Sequence, residues 1–326
     1  MTVSVVIPLF NKARHIGRAV RSVLAQTYTD FELVVIDDAS TDDSGEIVQR
    51  MIEPRLRLVS QENRGECGAR NRGIEESRHD LIAFLDADDE WFPGFLEIVL
   101  GLRARHPEAG MYSAAYCFGH VDSLERPAFV GCPEGREGGL IPDYFESSLG
   151  PQPVTSSSVL IPRKVLDEVG RFPKGVRAGG DLHTWTRIAL RYRVAWSPRE
   201  GAVYHLSADN RVSASLPEVS DVTVAEPIES FLRMGNESVS SRESIIEYLR
   251  VRRLRLALSF CIQGRQRSAR ALLRKAGRSK GGGRRGWFVW LAAWTPLPFI
   301  RLGLRSKAVF RQIASHFDVR DESELS

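Results

Sequence analysis

The stretch Ala83 to Phe92, AFLDADDEWF, puts four acids, Asp86, Asp88, Asp89 and Glu90, within five positions. They follow directly on the apolar run Leu81-Ile82-Ala83-Phe84-Leu85. An apolar run of that length, bounded by polar residues, predicts a buried strand with carboxylates at its C-terminal end. Like charges this close repel, and burial raises their pKa values. Two arrangements relieve the repulsion. In one, the acids sit on a wet turn before a helix starting near Pro93, whose dipole favours negative charge. In the other, they hold a divalent cation through hard oxygen ligands. The short motif leaves both open.

The elements around it narrow the choice. Val3 to Ile7 is a β-branched run closed by Pro8, and Phe31 to Ile36 is a second such run. Leu56 to Ser60 reads as a third strand and Leu81 to Leu85 as the fourth. Between them lie helical patterns: Ile16, Ala19, Val20, Val23 and Leu24; then Ile47, Val48 and Met51; then a helix from about Gly68 to Ser77. Ser40 or Thr41, followed by acids, has the character of a helix N-cap. Pro93 to Arg105 continues the alternation. Strands alternating with helices of this length predict an α/β fold, with a parallel sheet and helices on both faces.

Ligands of such sheets bind outside the carboxyl ends of the strands. The tips after strands one, two and four read Pro8-Leu9-Phe10-Asn11, Asp37-Asp38 and Asp86-Ala87-Asp88-Asp89. Several polar tips on one edge make a site a better account than a solvated turn. A dinucleotide-binding domain is the first alternative, since an acid such as Asp38 ends strand two there as well. It requires GxGxxG after strand one. That position reads PLFNKARH, with no glycine before Gly17, so the NAD reading falls well behind.

VSVVIPLFNK, FELVVIDDASTDDS, ENRGECGARNRGI and LIAFLDADDEWF stand in the order and spacing of family 2 glycosyltransferases with the GT-A fold. SSSVLIPRKVLDEVGRFP and GGDLHTWTRIA resemble the acceptor-side half of the same domain. The resemblance covers roughly residues 2 to 210. It implies a GT-A type, Rossmann-like, mostly parallel sheet and an inverting transfer from a nucleotide sugar to a hydroxyl. Asp38 resembles the acid that hydrogen-bonds the base. Pro8, Leu9, Phe10 and Asn11 would line the base and ribose pocket, with Asn63, Arg70 and Asp86 as further nucleotide contacts. Asp88 matches the second acid of the DxD motif, which meets Mg²⁺ or Mn²⁺ in the family. Asp181 falls where the family has its catalytic base. Many relatives carry Glu-Asp there, whereas this chain has Gly180-Asp181. A non-catalytic sugar-nucleotide or glycan-binding scaffold is the runner-up, favoured if Gly180 marks a decayed site.

The chemistry suits these residue types. A departing diphosphate gathers negative charge, which a bound divalent ion stabilises as a Lewis acid. A carboxylate on the opposite side takes the proton of the incoming hydroxyl. Other residues carry two readings each. Trp91 and Trp185 either stack on sugar rings or anchor the core. His205 either joins the metal or is a hydrogen-bonded structural histidine. His183 and Gly180 complete the weaker acceptor-side candidates. Arg70 and Arg72 point in different directions on a helix, so one at most reaches the site, and Arg70 is preferred. Arg187 reads as a scaffold ion-pair partner of Asp181. Val130 to Pro142 is glycine-rich, either an acceptor lid or a connection.

The chain has 326 residues, 43% of them hydrophobic, enough for one large domain or two smaller ones. Its four cysteines form no CxxC pair, which speaks against a zinc site and a disulfide scaffold. A reducing, cytoplasmic setting is expected. MTVSVVIPLFNK lacks the marks of a signal peptide. The net charge of +4 is uneven: between Arg242 and Arg311 the only acids are Glu243 and Glu247. The expected division is a catalytic domain over 1–215, a basic helical extension over 216–280 and an aromatic segment with an acidic tail over 281–326. In the extension Ile246, Leu249, Leu256 and Phe260 recur with helical spacing, and a second helix runs from Gln266 to Ala276. GRSKGGGRRG has the composition of a flexible linker. Trp287 to Ile300 is uncharged, with three tryptophans, and is flanked by Arg284, Arg285, Arg301 and Arg305. It is too short to span a bilayer. Such a segment lies in an anionic membrane surface or packs on the domain. A peripheral place on the inner face of the cytoplasmic membrane is expected, and a lipid-linked or surface glycan acceptor with it. No nucleic-acid-binding module is present, and nothing bears on oligomeric state.

Overall fold

The computed structural model describes residues 1–120, 122–176, 178–206, 221–277 and 294. The first four strands are β1 (Val3–Leu9), β2 (Phe31–Asp37), β3 (Leu56–Ser60) and β4 (Leu81–Phe84). Helices α1 (Ile16–Leu24), α2 (Ser44–Gln49) and α3 (Gly65–Glu76) connect them. The chain continues through β5 (Glu90–Trp91), α4 (Phe95–Arg105), β6 (Met111–Gly119), β7 (Leu124–Glu125) and β8 (Gly139–Leu140). Next come the short helix α5 (Tyr144–Ser147), β9 (Val159–Pro162), α6 (Arg163–Val169), α7 (Gly180–Ala189) and β10 (Val194–His205). Three helices follow: α8 (Asp221–Arg233), α9 (Arg242–Ile262) and α10 (Gln266–Ala276).

The sheet order is β3-β2-β1-β4-β9-β6-β10-β5. β1, β2, β3 and β4 pair in parallel, in the register Val3↔Phe31 and Val3↔Leu81. β9 enters antiparallel between β4 and β6, and β6 and β10 are again parallel. The sheet is therefore mixed and mostly parallel. All of β1 is buried, as a strand covered on both faces requires. Val3, Val5 and Ile7 face the core beneath α1 and α4, while Val6 faces the opposite core. Gly73 lets α3 approach closely, because a Cβ there would lie 2.1 Å from Val6 Cγ1.

Three local expectations need correction. α3 starts at Gly65, one turn before Gly68. Gly65 takes a φ of +71° and turns the chain into the helix. Ser40 and Thr41 do not cap α2; Asp43 stands at the cap position without a side-chain bond. Ser40 Oγ instead accepts from the Asn11 amide at 3.1 Å, and the Thr41 amide donates to Asn11 Oδ1 at 2.7 Å. These bonds latch the β1 and β2 tips together. In α9, Ile245 is buried while Ile246 is 48% exposed. The inner face is set by Tyr248, whose ring meets Phe145 of α5 edge-on at 5.3 Å.

α8 and the first half of α9 share one core with β9, α6 and α7. The second half of α9 and α10 form a separate cluster around Leu254, Leu258, Ala269 and Leu272. The glycine-rich stretch is tied down where β8 pairs with β10. Of the aromatic segment only Trp294 is described, its ring 4.6 Å from the Arg270 guanidinium. The rest of that segment lies outside the described residues. No described helix is long and apolar enough to cross a membrane.

Candidate active site

Neighbouring parallel strands carry their tips to one edge, so β2, β1 and β4 deliver Asp38, Asn11 and Asp86 to Glu90 side by side. Asp38 is buried. Its Oδ1 accepts from Gln61 Nε2 at 2.6 Å and from the Arg64 amide at 2.8 Å. Asn63 Nδ2 donates to the Asp38 carbonyl at 3.1 Å. Pro8 and Leu9 are buried in β1, whereas Phe10 is 45% exposed beside the crevice. Asn11 bends the chain at a φ of 51°.

At the β4 tip each acid has a different partner. Asp86 Oδ1 accepts from Arg70 at 2.7 Å. The Arg70 guanidinium is buried and also bonds Glu66. Burial opposes its charge, but Glu66, Asp86 and Asp181 hold it firmly protonated. Arg72 instead pairs with Glu76 on the surface, so the choice between the two arginines falls on Arg70. Asp88 Oδ2 lies 2.6 Å from Lys12 Nζ, and Arg18 donates to the Asp88 carbonyl. Asp89 is buried, takes the Ser157 hydroxyl and accepts from the His205 amide at 3.0 Å. Glu90 lies 3.7 Å from Arg18 and 3.2 Å from His205 Nε2.

The charges do not balance. Among the described residues six acids (Glu66, Asp86, Asp88, Asp89, Glu90, Asp181) face three permanent cations (Lys12, Arg18, Arg70), so the acids outnumber the cations. Burial, then Glu66 and Asp88, push the Asp86 carboxyl up to about 6 against the pull of Arg70. Burial, then Asp88 and Asp86, hold Asp89 well above the usual carboxylate range. Burial and Arg18 lower the His205 pKa, which favours the neutral imidazole. Its Nε2 faces Glu90 Oε1 at 3.2 Å. Excess negative charge, a hard carboxylate and a neutral imidazole nitrogen suit a divalent cation. Among the described residues no three His, Cys, Asp or Glu side chains cluster tightly enough to hold an ion by themselves.

Asp181 opens α7 one residue beyond Gly180, and its charge acts on Arg70, Cys67 and Tyr144. Asp86 bonds that same Arg70, so both acids lie within electrostatic reach of one guanidinium. A Cβ on residue 180 would lie 2.1 Å from Cys67 Sγ. Glycine at 180 is a packing requirement of the Cys67 side chain.

Other candidates fall away from the crevice. Trp185 is fully buried against Phe172, and Trp91 packs on Phe95 while donating to the Ser157 carbonyl at 2.7 Å. Neither offers a ring face to a sugar. His183 Nδ1–H donates to the Thr223 carbonyl at 2.6 Å and joins α7 to α8. Arg187 is not paired with Asp181; it donates to the Arg171 carbonyl. Asn71 clamps the Phe172 backbone with two bonds, at 2.9 and 3.0 Å. Glu66, Lys12, Arg18 and Ser157 were not singled out by sequence reasoning. Only the i, i+4 spacing of Glu66 and Arg70 pointed to any of them.

Comparison with known proteins gives the family and the fold. The family model for glycosyl transferase family 2 matches residues 4–147. An uncharacterized protein of Mycobacterium tuberculosis, MT1568, is 31% identical over 233 residues, 67% of this chain and 72% of that one. An Escherichia coli protein named UDP-Glc:alpha-D-GlcNAc-diphosphoundecaprenol beta-1,3-glucosyltransferase is 31% identical over 130 residues, 40% of this chain and 49% of that one. The Staphylococcus aureus TarS fragment, in complex with UDP-GlcNAc, superposes with a TM-score of 0.66 at 16% identity, covering 85% of this chain and 82% of that one. It has the same fold. The chain spans about a third of the length of other curated relatives, 32% of a Nostoc glycosyltransferase and 37% of one from Rickettsia felis. The matched span holds Asp38, Arg70 and the turn from Asp86 to Glu90, and with these relatives the chain belongs to glycosyl transferase family 2.

Proposed function

We propose that the protein is an inverting glycosyltransferase that moves a sugar from a nucleotide sugar to a hydroxyl of a glycan or lipid-linked acceptor. The reading is supported by Asp38, Asp86 and Asp88 on neighbouring strand tips, and by Asp181 acting electrostatically on the same Arg70 that bonds Asp86. Asp38 holds the base, and the latched β1 and β2 tips shape the ribose pocket. Asp88, with His205 beside it, would hold Mg²⁺ or Mn²⁺; the ion, when bound, supplies Lewis-acid stabilisation of the leaving diphosphate. Arg70 keeps Asp86 ionised and oriented. Asp181 takes the proton of the attacking hydroxyl, so no carboxylate nucleophile is needed and the anomeric configuration inverts. A UDP sugar is the preferred donor, since the TarS fragment is described with UDP-GlcNAc. The lipid-linked acceptor is supported by the name of the Escherichia coli relative.

The test screens nucleotide sugars for thermal stabilisation with and without Mn²⁺, because a ligand of the native state raises apparent stability. Asp181→Asn should then keep donor affinity while transfer falls on the order of 10²-fold or more. Unimpaired transfer by that variant would place the base elsewhere. No stabilisation by any nucleotide sugar would sink the reading. The proposed location is peripheral, on the inner face of the cytoplasmic membrane. Arg267, Arg274 and Lys275 on the exposed side of α10 support it. Flotation with anionic vesicles, released in part by salt, is the expected result; a protein that stays unbound at low salt contradicts it.

A further inference from the structure

Lys12 has no role in the reaction as described, yet it holds the carboxylate proposed for the metal. Its ammonium lies 2.6 Å from Asp88 Oδ2, with the two side chains only 12% and 14% exposed. The fold brings them together. β1 and β4 are parallel neighbours in the register Val3↔Leu81 to Val6↔Phe84. Lys12 follows the end of β1 by three residues and Asp88 follows the end of β4 by four, so both emerge at one edge. The Lys12 backbone is pinned: its amide donates to Ser44 Oγ at 2.8 Å, and the Ala13 amide donates to Asp42 Oδ2 at 3.0 Å. The flexible part is the side chain.

A pair this dry differs from a surface salt bridge. Removing one charge leaves the other poorly solvated. A divalent ion that takes Asp88 must displace the ammonium, and two cations held a few ångströms apart repel. In the free protein Lys12 therefore opposes the metal. A diphosphate reverses the balance. In the strand order β2-β1-β4, Asp38 stands on the first tip, Lys12 on the second and Asp88 on the third. A nucleotide with its base at Asp38 and its diphosphate toward Asp88 crosses the β1 tip. Phosphate oxygens then offer the displaced ammonium a new partner, a role suited to a mobile point charge on a long stem.

We propose that Lys12 is an internal counter-ion, held on Asp88 in the free protein and passed to the donor diphosphate when metal and nucleotide bind together. The inference rests on the donor-site reading above. It makes metal and nucleoside diphosphate bind cooperatively, each raising the affinity of the other by the same factor.

Lys12→Met removes the charge and keeps most of the length. Mn²⁺ alone is titrated into the free protein and followed by the electron paramagnetic resonance of the unbound ion. UDP is titrated calorimetrically at saturating Mn²⁺. Lys12→Met should bind Mn²⁺ alone about tenfold tighter than wild type, or ~1.4 kcal/mol. It should bind UDP about tenfold more weakly with Mn²⁺ present. Damage to the fold does not produce a gain in metal affinity, so this readout separates the proposal from a structural role. Lys12→Arg keeps the charge and should keep the weak Mn²⁺ binding of wild type. Lys12→Gln carries the same measurement if the methionine variant does not fold. Equal or lower Mn²⁺ affinity in the neutral variants overturns the proposal while leaving the donor site standing. If wild type binds neither Mn²⁺ nor UDP, both readings fall.

Discussion

Arg70 and Arg253 are both buried, and each is bonded to two carboxylates. Arg70 joins Glu66 of α3 to Asp86 at the β4 tip. Arg253 of α9 joins Asp221 and Glu229, both on α8. In each case burial works against the guanidinium charge and the carboxylates hold it. The surroundings differ. At Arg253, Lys275 lies 3.2 Å from Asp221, so two cations meet two acids and the charges cancel. Around Arg70, Asp88, Asp89 and Asp181 add further acids, and among the described residues the acids there outnumber the cations even with Lys12 on Asp88. A buried ion pair is thus weak evidence for function, since many only fix packing. The discriminating sign is charge left uncompensated in an open crevice, together with displaced pKa values.

The comparison is easiest to break at Arg70. Arg70→Met removes the buried cation and leaves the partly buried Asp86 without its partner, and about 3–5 kcal/mol of stability should be lost. Donor affinity should fall with it. Urea unfolding and UDP calorimetry on the folded fraction measure the two effects. A folded Arg70→Met protein with unchanged donor affinity would make Arg70 a scaffold element like Arg253.

Arg253→Met should cost less, about 2–3 kcal/mol, because Lys275 still faces Asp221 at 3.2 Å when the guanidinium is gone. Donor affinity below the unfolding transition should stay within about twofold, a difference worth ~0.4 kcal/mol. A parallel fall in donor affinity would mean that the two regions are coupled.

Gly180→Ala sharpens the site half. Alanine is the better helix former, yet the contact with Cys67 Sγ should make the substitution cost about 1–3 kcal/mol. Adding Cys67→Ala should recover part of that loss. Strict additivity in the double-mutant cycle would argue against the contact. The smallest effect belongs to the helical half. Ile246→Gln should change stability by no more than about 0.5 kcal/mol, far less than Ile245→Ala. Thermal unfolding that ranks the two the other way would turn α9 around.

Much of the first half was legible from local pattern. Continuous apolar runs such as VSVVI and FELVVI belong to strands buried on both faces, and β3 and α10 have the ends that their periodicity implies. The acids at strand tips were legible for the same reason, because a parallel sheet puts those tips on one edge. Beyond residue 215, Ile228 and Tyr248 share a core with Phe84 and Trp185. Tryptophan and histidine gave no guide: Trp185 and His183 carry the same side chains whether they face a ligand or a neighbouring helix. Their burial depends on α7 and α8, which meet across a long stretch of sequence.

The sequence by itself determined the strand–helix alternation and the convergence of Asp38, Asp86 and Asp88, since periodicity and chain direction are local properties. The tertiary structure alone decided which cation meets which acid. Lys12 and Asp88 are 76 residues apart and Arg70 and Asp86 are 16 apart, and these pairs exist only because adjacent strands and α3 bring them within hydrogen-bonding distance. It also decided that residue 180 is glycine for the sake of a sulfur 113 positions earlier (180 − 67). Ion pairing and steric fit act over a few ångströms, and only the packed chain defines which residues come that close.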